Sequence, residues 1–184
     1  GGEICWEYDR EGRRLKEIDP SGEEIRFLYD PFGNLIQITD SLGGNWRYRY
    51  NDKNSLIGIT SPAGHSLSLA YNDRGQVISL TGFDGLRTCL DYDRFGNVIK
   101  ATGPSGGITA FAYDEQGYFL ATVTDELGHS AHYEHDGNGR LLKHRHPDGT
   151  EKSLVFDCCY SLLATDERGL NRGYERDANG NIIK

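Results

Sequence analysis

The sequence predicts an all-β protein, built as an antiparallel meander of repeated β-hairpins with about two strands in each 21-residue repeat. Two turn-forming sequences occur in every repeat, and apolar and polar residues alternate between them. A tyrosine followed by Asp or Asn returns every 21 residues, at Tyr8, Tyr29, Tyr50, Tyr71, Tyr92 and Tyr113. A fixed period of this length indicates a repeat architecture, in which each unit buries its apolar side chains against its neighbours.

The first turn of each repeat follows the tyrosine directly. In Asp30-Pro31-Phe32-Gly33, the aspartate can accept a backbone amide, proline supplies a φ near −65° and glycine permits a positive φ. We therefore expect valine at Gly33 or Gly96 to disrupt folding, because a β-branched side chain resists positive φ. Other repeats have aspartate or glycine at the same positions of the first turn. These members of the predicted structural motif are Asp9, Gly12, Gly75, Asp93, Asp114 and Gly117.

A second turn comes about ten residues after the first, as in Asp40-Ser41-Leu42-Gly43. All five prolines of the chain occupy the second position of a first or a second turn. Proline favours that position because its ring fixes φ where a turn requires it. Each repeat is therefore predicted to contain two turns.

The segments between turns have the length and the alternation of β-strands. In the strand before the turn, Ile25, Phe27 and Tyr29 alternate with intervening positions that include the polar Arg26, and we expect this apolar face to be buried. The following strand opens with an apolar pair, Leu35-Ile36, which would give one side chain to each face. About eighteen strands are expected, and an open sheet of that size is predicted to coil.

Composition excludes several classes of protein. The hydrophobic content is 36% but 11% of residues are aromatic, which favours a folded chain over a disordered one. Cations are scattered among carboxylates and the net charge is −8, so a nucleic-acid surface is not predicted. No apolar run is long enough for a membrane span. We expect residues 1–184 to be a single array of about nine repeats, and a segment of a longer chain.

The repeated unit resembles the YD repeat of the Rhs family, which is shared by Tc-toxin C components, polymorphic bacterial toxins and teneurins. The resemblance covers residues 4–184, and the segments that carry it best are 29–35 and 92–98. It weakens where His135, Phe156 and Arg176 replace the tyrosine and where Asn54 and Tyr160 replace the turn glycine, and irregular structure is expected there.

The resemblance implies a β-sheet that winds into a hollow shell, commonly around a C-terminal toxin, in a secreted or cell-surface protein. Its partners would be the rest of the parent polypeptide, including that toxin, and other shell segments. The teneurin branch supports an alternative, a module that binds carbohydrate or a cell-surface partner. Some family members cleave themselves with aspartates, but Asp19 belongs to an ordinary second turn, so no self-cleaving site is predicted.

The histidines and cysteines are the remaining candidates for chemistry. If the turn spans Asp136 to Gly139, His129 lies opposite His146, and the two rings are a weak candidate for a metal site against ordinary surface histidines. Cys5 and Cys89 are four repeats apart and are not expected to pair. The adjacent Cys158 and Cys159 could form a strained disulfide, although two free thiols are favoured.

The abundant carboxylates do not predict an enzyme. A glycosidase needs two carboxylates at a set separation, whereas these aspartates recur at one turn position in repeat after repeat. A residue repeated that often serves the fold, because an active site is needed only once. The aromatic rows are likewise expected to pack as cross-strand ladders before they bind sugars. The sequence predicts no catalysis and no cofactor.

Overall fold

The computed structural model describes residues 3–156 and 161–173, and all regular structure in these residues is β-strand. The chain divides into two compact units, Gly1–Cys89 and Leu90–Lys184. Both units carry the same repeat, and their union into a single array stays a prediction. A helix with the length and apolarity needed to cross a membrane is absent from the described residues.

Unit 1 is an antiparallel meander. Each strand pairs with the next along the chain, from β1 with β2 to β8 with the start of β9. The strands are β1 (Cys5–Tyr8), β2 (Arg14–Ile18), β3 (Glu24–Tyr29), β4 (Leu35–Thr39), β5 (Asn45–Tyr50), β6 (Leu56–Thr60), β7 (Ser66–Tyr71), β8 (Val77–Thr81) and β9 (Arg87–Tyr92), which begins in unit 1 and ends in unit 2.

Unit 2 continues with the same order of pairing, from β10 with β11 to β16 with β17. Its strands are β10 (Val98–Thr102), β11 (Ile108–Tyr113), β12 (Leu120–Thr124), β13 (Ser130–His135), β14 (Leu141–Arg145), β15 (Glu151–Phe156), β16 (Ser161–Thr165) and β17 (Asn171–Gly173). The predicted all-β meander with two strands per repeat is confirmed, and the described residues hold seventeen of the roughly eighteen expected strands.

The hairpin loops share one hydrogen-bond pattern. In the loop after Tyr29, the Asp30 amide donates to the Asn34 carbonyl at 2.9 Å and the Gly33 amide donates to the Asp30 carbonyl at 3.0 Å. Gly33 has a φ of 87°, as its position in the turn predicts. This pattern is that of a three-residue hairpin loop, in which a turn is followed by a left-handed residue.

A β-bulge follows most of the first turns, and sequence reasoning did not predict it. Leu28 pairs with Gln37 while Tyr29 pairs with Leu35, so Ile36 is the extra residue on β4. Equivalent register shifts occur at the ends of β1, β5, β7, β11, β13 and β15. Ile36, the second residue of the predicted apolar pair, is therefore the bulged residue. The prediction that Leu35 and Ile36 give one side chain to each face assumed a regular strand without a bulge.

The apolar face is only partly covered. Phe27 and Tyr29 are half-buried, whereas the alternate residues Arg26 and Leu28 are exposed, so the predicted alternation is present. However, no apolar side chain among the described residues is fully buried, and the prediction of a buried face is wrong in that respect. Within each unit, side chains pack chiefly against those of neighbouring strands, which leaves their outer surfaces open.

The irregularity of the array lies elsewhere than predicted. Asn54 takes the glycine position with a φ of 57° and keeps the regular turn, because asparagine tolerates the left-handed region. His135 ends an ordinary strand. The irregular loop follows Tyr113, where the Asp114 amide bonds to the Phe119 carbonyl, one residue later than in other loops. Tyr118 is the inserted residue, and Tyr160 and Arg176 lie outside the described residues.

Candidate functional site in the turns and tyrosine rows

The turn aspartates organise the loops that they begin. One carboxylate oxygen of Asp30 accepts the amides of Phe32 at 2.9 Å and Asn34 at 2.8 Å, and the other accepts Asn34 Nδ2 at 2.9 Å. The predicted bond from the aspartate to a backbone amide is therefore confirmed. Asp9, Asp93, Asp114 and Asp136 accept backbone amides of their own loops in the same way.

Hydrogen bonds of this kind lower the pKa of Asp30 and of Asp136. The side chain of Asn34 lowers the pKa of Asp30 most, and the loop amides lower it further against the opposing effect of partial burial. At Asp136, the backbone amide of Arg140 is the largest of the causes that lower the pKa. A general acid at neutral pH needs a raised pKa, so these two aspartates are suited to accepting hydrogen bonds and not to donating protons.

The turn glycines named by the sequence analysis all adopt the left-handed conformation. Their φ angles are 79° at Gly12, 87° at Gly33, 79° at Gly75, 98° at Gly96 and 76° at Gly117. At Gly117 the neighbouring repeat adds a second constraint, because a Cβ there would lie 2.5 Å from Cδ2 of Phe95. Phe119 lies in the same way against Gly139, at 2.6 Å from a Cβ built there.

The residue after the turn glycine joins one repeat to the next. Asn34 Nδ2 donates to Asn54 Oδ1 at 3.0 Å, and Asn97 Nδ2 donates to the carbonyl of Gly117 at 2.7 Å. The Arg13 guanidinium lies 5.2 Å from the centre of the Tyr29 ring. Sequence reasoning missed this position because its residue type varies, although a long or amide side chain is present at each of these three places.

The tyrosines form a second link between repeats. The hydroxyl of Tyr50 donates to the carbonyl of Leu35 at 3.0 Å, that of Tyr71 to Leu56 at 2.7 Å, and that of Tyr113 to Val98 at 3.1 Å. Each acceptor is the first residue of the strand that follows the tyrosine turn of the preceding repeat. The sequence analysis predicted aromatic packing alone, and the use of tyrosine where phenylalanine would pack equally well was the signal for this bond.

Tyr71→Phe is expected to lower the free energy of unfolding by about 1 kcal/mol, because the carbonyl of Leu56 loses its tyrosine donor. Chemical denaturation followed by circular dichroism measures this change. Tyr8→Phe is the matched control, since Tyr8 lies on the first strand and is 56% exposed. Equal losses in the two variants would contradict a specific role for the Tyr71 hydroxyl.

The two remaining tyrosines of the predicted motif lie at the equivalent strand ends. Tyr29 ends β3 and Tyr92 ends β9. The motif residues do not converge on one pocket, because each repeat places its own set at its own turn. The arrangement is a row of equivalent structural positions.

The predicted pairing of His129 with His146 is wrong. His132 lies opposite Arg145. His146 is one residue away from this pair along the chain, whereas His129 is three residues away from it, so the two histidines do not lie opposite each other. His129 instead contacts Asp125, with 3.1 Å between Nδ1 and Oδ2. The ring of His146 is 4.0 Å from that of His144, and burial, followed by the charge of His146, lowers the pKa of His144. The described residues contain no cluster of three or more metal-ligating side chains.

The cysteines supply no further site. Cys5 on β1 is exposed, Cys89 on β9 is partly exposed, and both are free thiols. Cys158 and Cys159 lie outside the described residues, so the choice between a vicinal disulfide and two thiols stays a prediction.

Two family models match the sequence. The teneurin YD-shell model matches residues 3–82, and the RHS repeat model matches residues 92–118 and 119–151. These ranges contain most of the tyrosines and turns described above. No curated protein sequence matches the chain.

Solved structures of Tc toxins share the fold. The crystal structure of TcdB2-TccC3 is 15% identical with a TM-score of 0.57, and the match covers 98% of this chain and 12% of that one. The Photorhabdus luminescens Tc holotoxin pore is 16% identical with the same TM-score and the same coverages. TcdB2-TccC3 without its hypervariable C-terminal region is 16% identical with a TM-score of 0.56.

The chain therefore spans about an eighth of the length of these solved chains. Identity at this level establishes a shared fold, and the family models establish the repeat itself. The tyrosines, the turn aspartates and the left-handed glycines recur in both units, within the ranges that these models match. This chain belongs to the YD-repeat family, which includes the Rhs repeats and the teneurin YD-shell.

Proposed function

We propose that this chain is a non-catalytic wall segment of a larger YD-repeat shell that encloses or presents a toxin domain. The observation that carries the proposal is the recurrence of turn and tyrosine contacts in both units, because each contact stabilises a hairpin or joins it to the next. Family membership and the small share of the solved chains that this chain spans support a segment of a longer polypeptide.

The state of two turn carboxylates supports the non-catalytic part of this proposal. Asp30 and Asp136 accept backbone amides and have lowered pKa values, so neither is available as a general acid near neutral pH. A panel of glycoside, ester and peptide substrates is expected to show no turnover. Turnover that Asp30→Asn or Asp136→Asn abolishes without loss of folding would contradict this proposal.

The partners in this proposal are the remaining shell segments and the toxin domain, in a secreted or cell-surface protein. The test uses the complete polypeptide that carries this chain, digested with a nonspecific protease under native conditions. The toxin domain should resist digestion while the wall is intact, and it should be cut when Gly117→Val opens the wall. Equal digestion of the toxin domain with and without an intact wall would contradict enclosure.

A second candidate function is binding of carbohydrate or of a cell-surface partner. The observation that favours it is the exposure of aromatic side chains, with Trp6 50% and Phe83 39% exposed. Flat aromatic rings of this kind stack on sugar faces. A glycan array tests the candidate, and the absence of binding at high protein concentration would remove it.

A further inference from the structure

The strand face of unit 1 opposite the tyrosines carries exposed arginines between β5 and β9, Arg47, Arg49 and Arg87, which we call the cationic face. The register connects them. Arg49 pairs with Gly58, Gly58 with Ser68, Ser68 with Thr81, and Thr81 with Arg87. Arg49 and Arg87 therefore lie at the two ends of one continuous row across five strands.

Carboxylates do not neutralise this face. The strand residues that share it from β4 to Cys89 are arginines, hydroxyl residues, amides, small residues and Cys89 itself, with no Asp or Glu among them. Arg26 lies beyond this face on β3, where it is already paired with Glu24. Among the described residues, no acidic side chain lies within ion-pair distance of Arg47 or Arg49. This local excess of positive charge stands against a net charge of −8 for the chain.

Unit 2 provides an internal comparison. On β14, Lys143 lies 2.9 Å from Glu151 and Arg145 lies 3.7 Å from the same carboxylate. Lys100 lies 3.3 Å from Asp91. These three cations of unit 2 are therefore paired with acids of the same unit. In the part of the chain that the structure describes, no acidic side chain pairs with Arg47, Arg49 or Arg87 of the cationic face, which leaves them available to an external anion.

The guanidinium groups lie along the sheet. A Cβ on Gly58 would lie 3.1 Å from an Nη atom of Arg49, so the glycine leaves room for that group against β6. Arg87 Nε donates to Ser79 Oγ at 2.8 Å, which fixes the other end of the row. Hydroxyl side chains of Ser68 and Thr81 occupy the positions between them. Planar guanidinium groups held in this way suit carboxylate recognition.

We propose that the cationic face of unit 1 binds an acidic, extended polypeptide segment. Four strand spacings of about 4.8 Å separate Arg49 from Arg87, which makes about 19 Å, the length of about six extended residues. Charges spaced this widely match carboxylates on a peptide. Nucleic acid carries a phosphate charge every few ångströms and binds clustered cations, which this face lacks. The inference goes beyond the proposed function, because it does not require a closed shell.

The test is fluorescence anisotropy with the whole 184-residue chain and a fluorescein-labelled ten-residue peptide of alternating Glu and Ser. Saturable binding is expected at low salt and should weaken as salt is raised, since exposed charges are screened. The double variant Arg47→Glu/Arg49→Glu is expected to bind on the order of tenfold more weakly. Circular dichroism melts confirm folding, and Arg47→Gln/Arg49→Gln replaces the double variant if charge reversal unfolds the unit.

The matched control is Arg145→Glu in unit 2, which reverses one exposed charge beside Glu151 and should leave affinity within about twofold. Equal weakening by Arg145→Glu and by the unit 1 variant would overturn the proposal. Absence of saturable binding by the native chain would also overturn it. Tighter binding of a single-stranded oligonucleotide of equal charge would overturn the assignment of a polypeptide partner.

Discussion

Gly117→Val is expected to lower the free energy of unfolding of unit 2 by about 3 kcal/mol. Two effects combine at this residue. Its φ of 76° lies in the left-handed region, where an L side chain costs roughly 1–2 kcal/mol. A Cβ would also come 2.5 Å from Cδ2 of Phe95, and forcing atoms into an occupied site costs roughly 1–3 kcal/mol. Denaturant unfolding monitored by circular dichroism measures the loss.

Gly33→Val is the matched control for the steric effect. Gly33 has a φ of 87°, but the nearest atom to a Cβ there is Arg13 Nη1 at 3.6 Å, which is ordinary contact. Its loss should be limited to the backbone strain, about 1–2 kcal/mol. Adding Phe95→Ala should restore part of the loss at Gly117, because it removes the clash and leaves the strain. Equal destabilisation by the two glycine variants would contradict a role for Phe95.

In contrast to valine at Gly117 or Gly33, glycine at Asn54 should leave the free energy of unfolding nearly unchanged. Asn54 already occupies the left-handed region with a φ of 57°, so Asn54→Gly relieves strain in the folded loop while it adds freedom to the unfolded chain. We expect the two effects to cancel within about 0.5 kcal/mol. The hydrogen bond from Asn34 Nδ2 to Asn54 Oδ1 is exposed to solvent, so its loss should change the free energy of unfolding only slightly. A change well above this value in a denaturant melt would contradict the backbone explanation.

The turns could be predicted from the sequence because their causes are local. The carboxylate of Asp30 reaches amides two and four residues away, and Gly33 adopts its conformation within the same loop. Side-chain types at fixed offsets are sufficient to specify such contacts. Once both turns of a repeat are specified, the short segments between them have no alternative to antiparallel strands, so the meander follows.

The links between repeats could not be predicted in the same way. The Tyr71 hydroxyl bonds a carbonyl fifteen residues back in sequence, and this pairing depends on the register and on the bulge. The bulge was not anticipated, and its extra residue changes which atoms face each other. The error at His129 and His146 has the same origin, because a register counted from the turn alone misplaces every later pair.

Burial was overestimated for a different reason. Alternation identifies which face is apolar, and Phe27 and Tyr29 lie on that face as expected. It does not reveal whether anything packs on that face. With no apolar side chain fully buried in the described residues, hydrogen bonds at the turns carry more of the specificity of the fold than they would in a protein with a two-layer core.

The chain is expected to lose stability as the pH falls below about 5, through the range in which these aspartates become protonated. Eight aspartates in the described residues have lowered pKa values, namely Asp9, Asp19, Asp30, Asp93, Asp125, Asp136, Asp148 and Asp166. A lowered pKa in the folded state means that the unfolded chain binds protons first. The stabilisation is therefore complete above the ordinary aspartate pKa and is lost as the pH falls through the folded values.

Thermal melts between pH 7 and pH 2.5 test this expectation, and Asp30→Asn and Asp30→Ala separate the causes. Asparagine keeps an oxygen that accepts the loop amides, as Asn51 does for Lys53 and Ser55 at 3.0 and 2.9 Å, but it does not titrate. Asp30→Asn should therefore melt close to the native chain at pH 7 and lose less on acidification, while Asp30→Ala should melt lower at every pH. A melting temperature that stays constant from pH 5 to pH 2.5 would mean that these carboxylates do not stabilise the turns.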